Sequence, residues 1–473
     1  MTTAHYDIVV IGSGPAGQKA AIQGAKAGKR VALIEQEFEV GGACVYRGTI
    51  PSKTLRESAL QMSRFQRTAE VFEFKLRDDV KVASLMSRLD HVVKTHGRLM
   101  NDQLTRNGIE RFHGRARFAT DREVQITTVE GTSLRLRGEV IVIATGSRPR
   151  IPESIPVDHE HILDSDSILS LVYLPKSLTV LGGGVIASEY ASIFAILGVQ
   201  VTMIDTADRP LRFLDQELTD EFFAAFYKSG GRYVGGQQIE EVAWDGCSRV
   251  VTRLKSGETV LSEKLLVALG RVANVESLDV QAAGLDLTSR GLIPVNHQCQ
   301  TPVPHIYAVG DVIGPPALAS CAMEQGRRAV RHALGLDPGL DPEHIPMGIY
   351  TVPEISSVGL SEQEAVGRYG GALVGRAHFH EIARSQISGM TNGVLKLVAD
   401  PTTERILGVQ IVGEGATELI HIGQMALLNR LHVESFVDTI FNFPTLAEAY
   451  RVAALDLLQR RPSRSSVISR DGL

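Results

Sequence analysis

Read from its start, the chain alternates short apolar runs with glycine-rich breaks and helical stretches. Asp7-Ile8-Val9-Val10-Ile11 is a β-branched run that predicts a strand. It breaks at Gly12-Ser13-Gly14-Pro15-Ala16-Gly17 and continues as an alanine-rich helical stretch to about Ala27. A second strand, Arg30 to Ile34, ends at Glu35. The same order returns later. Ser177 to Leu181 reads as a strand, followed by Gly182-Gly183-Gly184-Val185-Ile186-Ala187, a helix to about Leu197, a strand Gln200 to Ile204, and Asp205. Near the C-terminus, strands Gly393 to Val398 and Ile406 to Val412 mix with helices at about Ala416–Leu428 and Leu446–Leu458. The pattern predicts an α/β protein with two Rossmann-like dinucleotide-binding units, followed by an α+β region.

Each glycine has a separate physical task. Gly12 makes the tight turn, Gly14 lets the backbone approach a pyrophosphate, and Gly17 lets helix and strand pack closely. The helix N-terminus offers free N–H groups and a partial positive charge to phosphates. Glu35, 18 residues beyond Gly17, is placed to accept hydrogen bonds from an adenosine ribose. Ala187 holds the third position of the second turn, where alanine is permitted, and Asp205 again lies 18 residues on. Two copies that both keep the acid predict two dinucleotides rather than one live and one dead copy. Two dinucleotides suggest electron relay, since nicotinamides carry hydrides and a flavin accepts one at N5. Two nicotinamide domains in an unrelated arrangement are the other reading of these motifs.

Composition narrows this. The 473 residues correspond to about three domains. Apolar residues make up 44% and charged residues 22%, which argues against global disorder. The net charge of −5 leaves no basic excess to neutralise phosphates, which argues against nucleic acid as a partner. The four cysteines, Cys44, Cys247, Cys299 and Cys321, have neither disulfide-scaffold density nor metal-ligand spacing. A reducing, cytoplasmic setting is expected. Met1-Thr2-Thr3-Ala4-His5 leads straight into a strand with no signal-like start, and no apolar run reaches a membrane-spanning length. His378, His380, His421 and His432 show no metal constellation, so no metal is expected and these histidines read as structural.

The segment Gly41-Gly42-Ala43-Cys44-Val45-Tyr46-Arg47-Gly48-Thr49-Ile50-Pro51-Ser52-Lys53 resembles the flavin-side segment of the pyridine nucleotide–disulfide oxidoreductases. That family includes glutathione reductase and dihydrolipoamide dehydrogenase. Ile143-Ala144-Thr145-Gly146-Ser147 is similar to its ATG linker, and Thr301 through Asp311 to its second flavin motif. The resemblance runs from Tyr6 to about Arg460. It implies FAD at Gly12, Gly14, Gly17, Glu35, Cys44, Thr49, Thr145, Gly146 and Asp311. It implies NAD(P) at Gly182, Gly184, Ala187, Asp205, Arg209 and Gly270, and a dimer-forming C-terminal domain, hence a homodimer. Asp311 would accept hydrogen bonds from the FAD ribitol. Lys53 would sit beside flavin N5 and pair with Glu189, the two acting as the catalytic residues. The cation stabilises reduced flavin and the carboxylate keeps the buried lysine charged. Val185 and Ile186 would be near the nicotinamide, but they read equally well as core.

The resemblance also implies boundaries. The FAD domain covers 1–149 and resumes at 273–340, around an NAD(P) domain at 150–272. An interface domain covers 341–460, and a disordered tail 461–473. Pro149, Pro152 and Pro156 mark the first crossing, Ala268-Leu269-Gly270-Arg271 the exit, and Gly335 to Pro346 the linker.

Two departures bear on function. The family's disulfide reductases carry two cysteines five apart; Cys44 matches the first, but Thr49 stands at the second. Threonine provides no thiolate. The family's acid/base histidine falls at Phe443, which has no titratable proton. Thr445 and Glu448 also read as a capping box ahead of the last helix. Cys44 reads as a small hydrophobe or a redox-sensitive thiol, and the other three cysteines as structural. One branch of the family carries the same combination, similar in Gly42 to Lys53, in Glu189-Tyr190-Ala191-Ser192-Ile193-Phe194 and in Phe441 to Arg451. It implies ping-pong hydride exchange between NAD(H) and NADP(H), a transhydrogenation through flavin N5 without a redox-active disulfide. Asp205 pulls the other way, because it would repel a 2′-phosphate. Arg209 and Arg212 read as partial compensation or as surface cations. NAD(H) is therefore expected to bind better than NADP(H). The alternatives are an NADH-preferring diaphorase or quinone reductase and, outside catalysis, a flavin-bearing structural or regulatory component.

Overall fold

The computed structural model describes residues 3–68, 82–339 and 342–460. The tail expected at 461–473 lies outside them. The chain divides into two compact units, residues 1–187 with 238–341, and residues 188–237 with 342–473.

The first unit is organised by strand Ala4–Ile11. Its residues Ile8 to Ile11 run parallel to Val31–Ile34 on one side and Val140–Ile143 on the other. Glu110–His113 extends the sheet beyond Val31–Glu35, and Ile306–Ala308 pairs in parallel with Ile141–Ile143. The N-terminal half of Ser133–Ile143 pairs antiparallel with Glu123–Thr127, which in turn pairs with Arg115–Phe118. Val9, Val10, Ile141 and Val142 are fully buried, as a parallel sheet covered on both faces requires. Helix Pro15–Lys26 packs against helix Ala319–Ala333. A Cβ on Gly326 would stand 2.1 Å from the Ala16 carbonyl oxygen, so the two backbones touch.

Lys264–Val267 lies between Ser177–Leu181 and Ile162–Asp164 in a parallel, buried trio. The chain crosses between the glycine-turn regions twice, at 147–149 and at 271–273. These crossings pair as an antiparallel ribbon. Arg150 N donates to Gly270 O at 2.9 Å and Asn274 Nδ2 to Thr145 O at 2.9 Å. Arg148 forms a bidentate pair with Glu276.

The second unit holds parallel strands Gln200–Ile204 and Arg232–Val234 joined through helix Gln216–Lys228. It also holds an antiparallel five-stranded sheet in the order 347–349, 355–359, 406–412, 394–399, 373–378. Helix Glu448–Arg460 covers it, with the Gly375 Cβ position 2.0 Å from Ala453 O. Tyr450 is fully buried there and donates to Leu419 O at 2.7 Å. The two runs that the period predicts as strands are strands, at Val394–Ala399 and Ile406–Val412, the first shifted by one residue, with Lys396 and Gln410 as their polar members. One expectation fails. Thr445 and Glu448 form no capping box: Thr445 Oγ1 donates to Asn442 O at 2.7 Å, and the helix starts at Glu448 itself. The capping box that does form is Ser361 with Glu364.

A charge cluster inside this unit was not legible in the sequence. Lys396, its side chain 3% exposed, lies 2.9 Å from Asp215, 3.1 Å from Glu217 and 2.7 Å from Glu362. Arg376 Nε donates to Glu217 at 2.8 Å. Asp215 also caps helix Gln216–Lys228 by accepting from Glu217 N. Burial alone would raise the Glu217 carboxyl, but the Arg376 hydrogen bond and the Lys396 charge hold it below its ordinary value. With a surplus of acids over cations, the buried lysine is compensated.

Candidate functional site

The first turn is fixed by what cannot fit. Gly12 has φ +101°, and a Cβ there would stand 2.3 Å from Ala144 O. A Cβ on Gly17 would stand 1.8 Å from Gly12 O. Glycine alone lets the helix begin this close to the strand. Gly14 is different, with nothing within 4 Å of its Cβ position. The helix beyond it has Pro15 in its first turn and no side-chain cap. Its leading N–H groups are therefore offered to a ligand rather than to the protein.

Glu35 turns back onto this loop. Its Oε2 accepts from Ser13 N at 2.9 Å and from Ser13 Oγ at 2.6 Å, and its Oε1 accepts from Glu37 N at 2.9 Å. Ser13 Oγ also accepts from Gly41 N at 3.0 Å. That bond lays the segment 41–53 beside the glycine turn. A Cβ on Gly42 would be 2.9 Å from Gly14 Cα.

Cys44, Thr49, Lys53 and Asp311 stand together. Burial pushes the Cys44 thiol above its ordinary value. The hydrogen bond with Thr49 and the charge of Lys53 oppose the shift, and the charge of Asp311 adds to it. Near neutrality the sulfur is a thiol, not a thiolate. Lys53 is half-buried, and its Nζ donates to Ser52 Oγ at 3.3 Å.

Asp311 belongs to a relay that motif reading missed. Ser147 Oγ donates to Asp311 Oδ2 at 2.6 Å. Arg271 Nε donates to the same Ser147 Oγ at 2.8 Å, and Arg271 Nη2 to Ser147 O at 2.7 Å. A guanidinium only donates, so the Ser147 proton must point at Asp311. The signal was faint: Ser147 follows the ATG triplet, and Arg271 follows Gly270. Next to Ser147, Thr145 Oγ1 is buried without a partner and Gly146, at φ +66°, has open space at its Cβ position. An orphaned hydroxyl, an open second glycine and an uncapped helix end together fit a bound dinucleotide such as FAD.

The second turn repeats the first. Gly182 has φ +112° with its Cβ position 2.6 Å from Ala268 O, Gly184 has nothing within 4 Å, and Ala187 is fully buried. Gly270, at φ +105°, is also open. Asp205 Oδ1 accepts from Ala207 N at 3.1 Å and Thr206 Oγ1 at 3.2 Å. Arg209 lies ahead of helix Gln216–Lys228 and points at it, with Nη1 2.6 Å from Thr219 Oγ1 and Nη2 3.5 Å from Arg212 O. Arg212 lies 3.6 Å from Asp208. Glu189, 5% exposed, accepts from Tyr350 N at 2.8 Å through Oε1. Lys53 belongs to the first unit and Glu189 to the second.

Phe443 is 72% exposed and Ile440 91%. Cys299 is buried, with its thiol pushed up by burial to about 11, whereas Cys247 is exposed in a turn and so is not a core residue. Among the described residues, no group of three or more His, Cys, Asp or Glu could hold a metal ion. Nor is any helix long and apolar enough to cross a membrane.

Residues 6–326 match the pyridine nucleotide-disulphide oxidoreductase family, and residues 345–454 match its dimerisation domain. The chain is 43% identical over 462 residues to proteins named soluble pyridine nucleotide transhydrogenase from Yersinia pestis and Yersinia pseudotuberculosis. The match covers 96% of this chain and 98% of theirs. Among solved structures it is similar to the HOCl-induced flavoprotein disulfide reductase RclA from Escherichia coli. The identity is 27% and the TM-score 0.87, covering 95% of this chain and 99% of that one. It is also similar to LpdA from Mycobacterium tuberculosis, at 28% identity and TM-score 0.88, covering 96% and 99%.

Proposed function

The chain belongs to the pyridine nucleotide–disulphide oxidoreductases, and from that premise we propose that it is an FAD-dependent pyridine nucleotide transhydrogenase. It moves hydride between NAD(H) and NADP(H) without a redox-active disulfide. The family uses FAD and NAD(P)H, and its C-terminal domain dimerises. The domain boundaries proposed are those of the resemblance, with the NAD(P) domain at 150–272 inserted into an FAD domain, and the setting is the cytoplasm.

The observation that carries this reading is the pairing of Cys44 with Thr49. The only sulfur in the segment is half-buried, kept protonated near neutrality by that burial, and hydrogen-bonded to the Thr49 hydroxyl. Thiol exchange needs a thiolate and a second sulfur. The exposed Phe443 adds no proton donor. A flavin held by Gly12, Gly14, Gly17, Glu35, Thr145, Gly146 and Asp311 supplies reversible hydride acceptance at N5. Lys53 places a cation beside that position, which favours negative charge there. Glu189 supplies a buried carboxylate, oriented by the Tyr350 N–H. Asp311 keeps one oxygen committed to Ser147 and leaves Oδ1 for a hydroxyl ligand. Gly182, Gly184, Ala187, Asp205, Arg209 and Gly270 position the exchanging nucleotide. Catalysis by alignment alone suits a site with no acid or base to spare.

A second reading, an NADH-preferring diaphorase or quinone reductase, is favoured by Asp205 and by the engagement of Arg212 with Asp208. Steady-state turnover with NADH and either NADP or a quinone as acceptor separates the two. Transfer to NADP supports transhydrogenation; turnover with the quinone alone supports the second reading.

A further inference from the structure

An open surface cavity with a volume of about 510 Å³ lies in the second unit, between helix Gln216–Lys228 and the end of strand Arg232–Val234. That volume suits a small ligand. Three rings, Phe223, Tyr227 and Tyr233, and two carboxylates, Asp208 and Asp220, line it. Phe223 stacks on Tyr227 with centroids 5.6 Å apart and planes 13° apart, and meets Tyr233 edge-on at 5.2 Å. The rings thus fix one another as a wall. The chain closes the floor at Gly235, where a Cβ would stand 2.7 Å from both Asp208 O and the Tyr233 ring.

The local field is negative. The Tyr233 hydroxyl donates to Ala207 O at 3.0 Å. Burial first, then the charges of Asp205 and Asp208, push its ionisation far above the ordinary value, with Arg212 opposing. Arg212 reaches Asp208 at 3.6 Å, but both side chains are largely exposed, so this contact is weak. Asp220 has no ion pair or hydrogen-bond partner among the described residues. Rings beside carboxylates, one of them unpartnered and the other only weakly paired, are the chemistry that recognises an organic cation. An anion would meet two carboxylates. A hard metal ion needs a tight shell of oxygen ligands, and no such group gathers here.

We propose that this cavity binds a small organic monocation, an alkylated or quaternary ammonium group, held over the rings and neutralised by Asp208 and Asp220. The proposal does not rest on the transhydrogenase reading, because none of these five residues belongs to the hydride-transfer machinery.

Calorimetric titration of the flavin-loaded protein with choline, and with its neutral tert-butyl isostere, tests it. Saturable one-to-one binding of choline is expected, about tenfold tighter than the isostere, since ring and carboxylate both act on the charge. Tyr227→Leu and Asp220→Asn should each weaken choline about tenfold while flavin reduction by NADH continues, which shows that the variants fold. Equal affinity for choline and the isostere overturns the proposal, as does full choline affinity in both variants. Stoichiometric displacement of choline by NADH also overturns it, by making the cavity part of the nucleotide site.

Discussion

At Gly12 and at Gly182 the same constraint recurs: a positive φ, and a carbonyl oxygen 2.3 or 2.6 Å from where a Cβ would stand. Gly14 and Gly184 are both open. The two regions part at their acids. Glu35 is clasped by its own turn, through the N–H and hydroxyl of Ser13. At the matching position the second turn has Gly183, with no hydroxyl to offer, and among the described residues the Asp205 carboxylate is held by Ala207 and Thr206 just after it. The first turn is cross-braced, which suits a cofactor that stays. The second leaves its acid to its own loop, which suits a nucleotide that must leave each cycle. Under the proposed assignment one signature serves a resident flavin and an exchanging nucleotide, and the difference lies outside the glycines.

The hardest test of this comparison is to fill each turn. Gly12→Ala forces a side chain into Ala144 O at a positive φ, a cost of about 3 kcal/mol. FAD affinity should fall about 100-fold, measured as flavin content and dissociation constant. Gly182→Ala should leave the flavin content intact and abolish its reduction by NADH. If Gly12→Ala keeps its flavin, or Gly182→Ala loses it, the assignment of the turns is reversed. Next comes the acid. Asp205→Asn removes the charge facing a 2′-phosphate, so NADPH affinity should rise about tenfold while NADH affinity falls; half-reaction titrations with each nucleotide measure both. Equal changes for the two nucleotides would separate Asp205 from the choice between them.

A smaller effect is expected behind the first site. Ser147→Ala deletes the hydroxyl between Arg271 and Asp311, leaving Arg271 short of an acceptor, at about 1–2 kcal/mol. FAD should dissociate about tenfold faster, and Ser147→Thr should restore the rate. The smallest concerns Cys44. Cys44→Ser should keep hydride transfer within about twofold. Because burial raises this thiol, its alkylation should stay slow through neutrality and climb only above pH 9.0, its ordinary value. Rapid alkylation at neutral pH would contradict the burial argument.

How much of this was legible follows from range. Gly12, Gly17 and Gly182 could be read because a tight turn is a local backbone demand, met within six residues. Thr49 and Phe443 could be read because each breaks a contiguous motif. The relay could not, since Ser147 and Asp311 are separated by 164 positions, and Ser147 and Arg271 by 124. Lys396 sits inside an apolar strand, where nothing local in the sequence marks its partners, yet it collects acids from two distant segments. Phe223, Tyr227 and Tyr233 belong to no motif, and only the fold brings them around one space. The capping box at Thr445 and Glu448 failed because that pattern is local but the Thr445 hydroxyl found Asn442 O first.

The central claim is that hydride passes between nicotinamides with no thiol in the path. Anaerobic rapid mixing of the flavin-loaded Cys44→Ser protein with NADH, followed by NADP, tests it most directly. The account predicts loss of the visible flavin absorbance on the first mixing and its recovery on the second, with NADPH formed in equal amount. Flavin that fails to bleach without the Cys44 sulfur, or that bleaches and recovers only with a quinone, would contradict it.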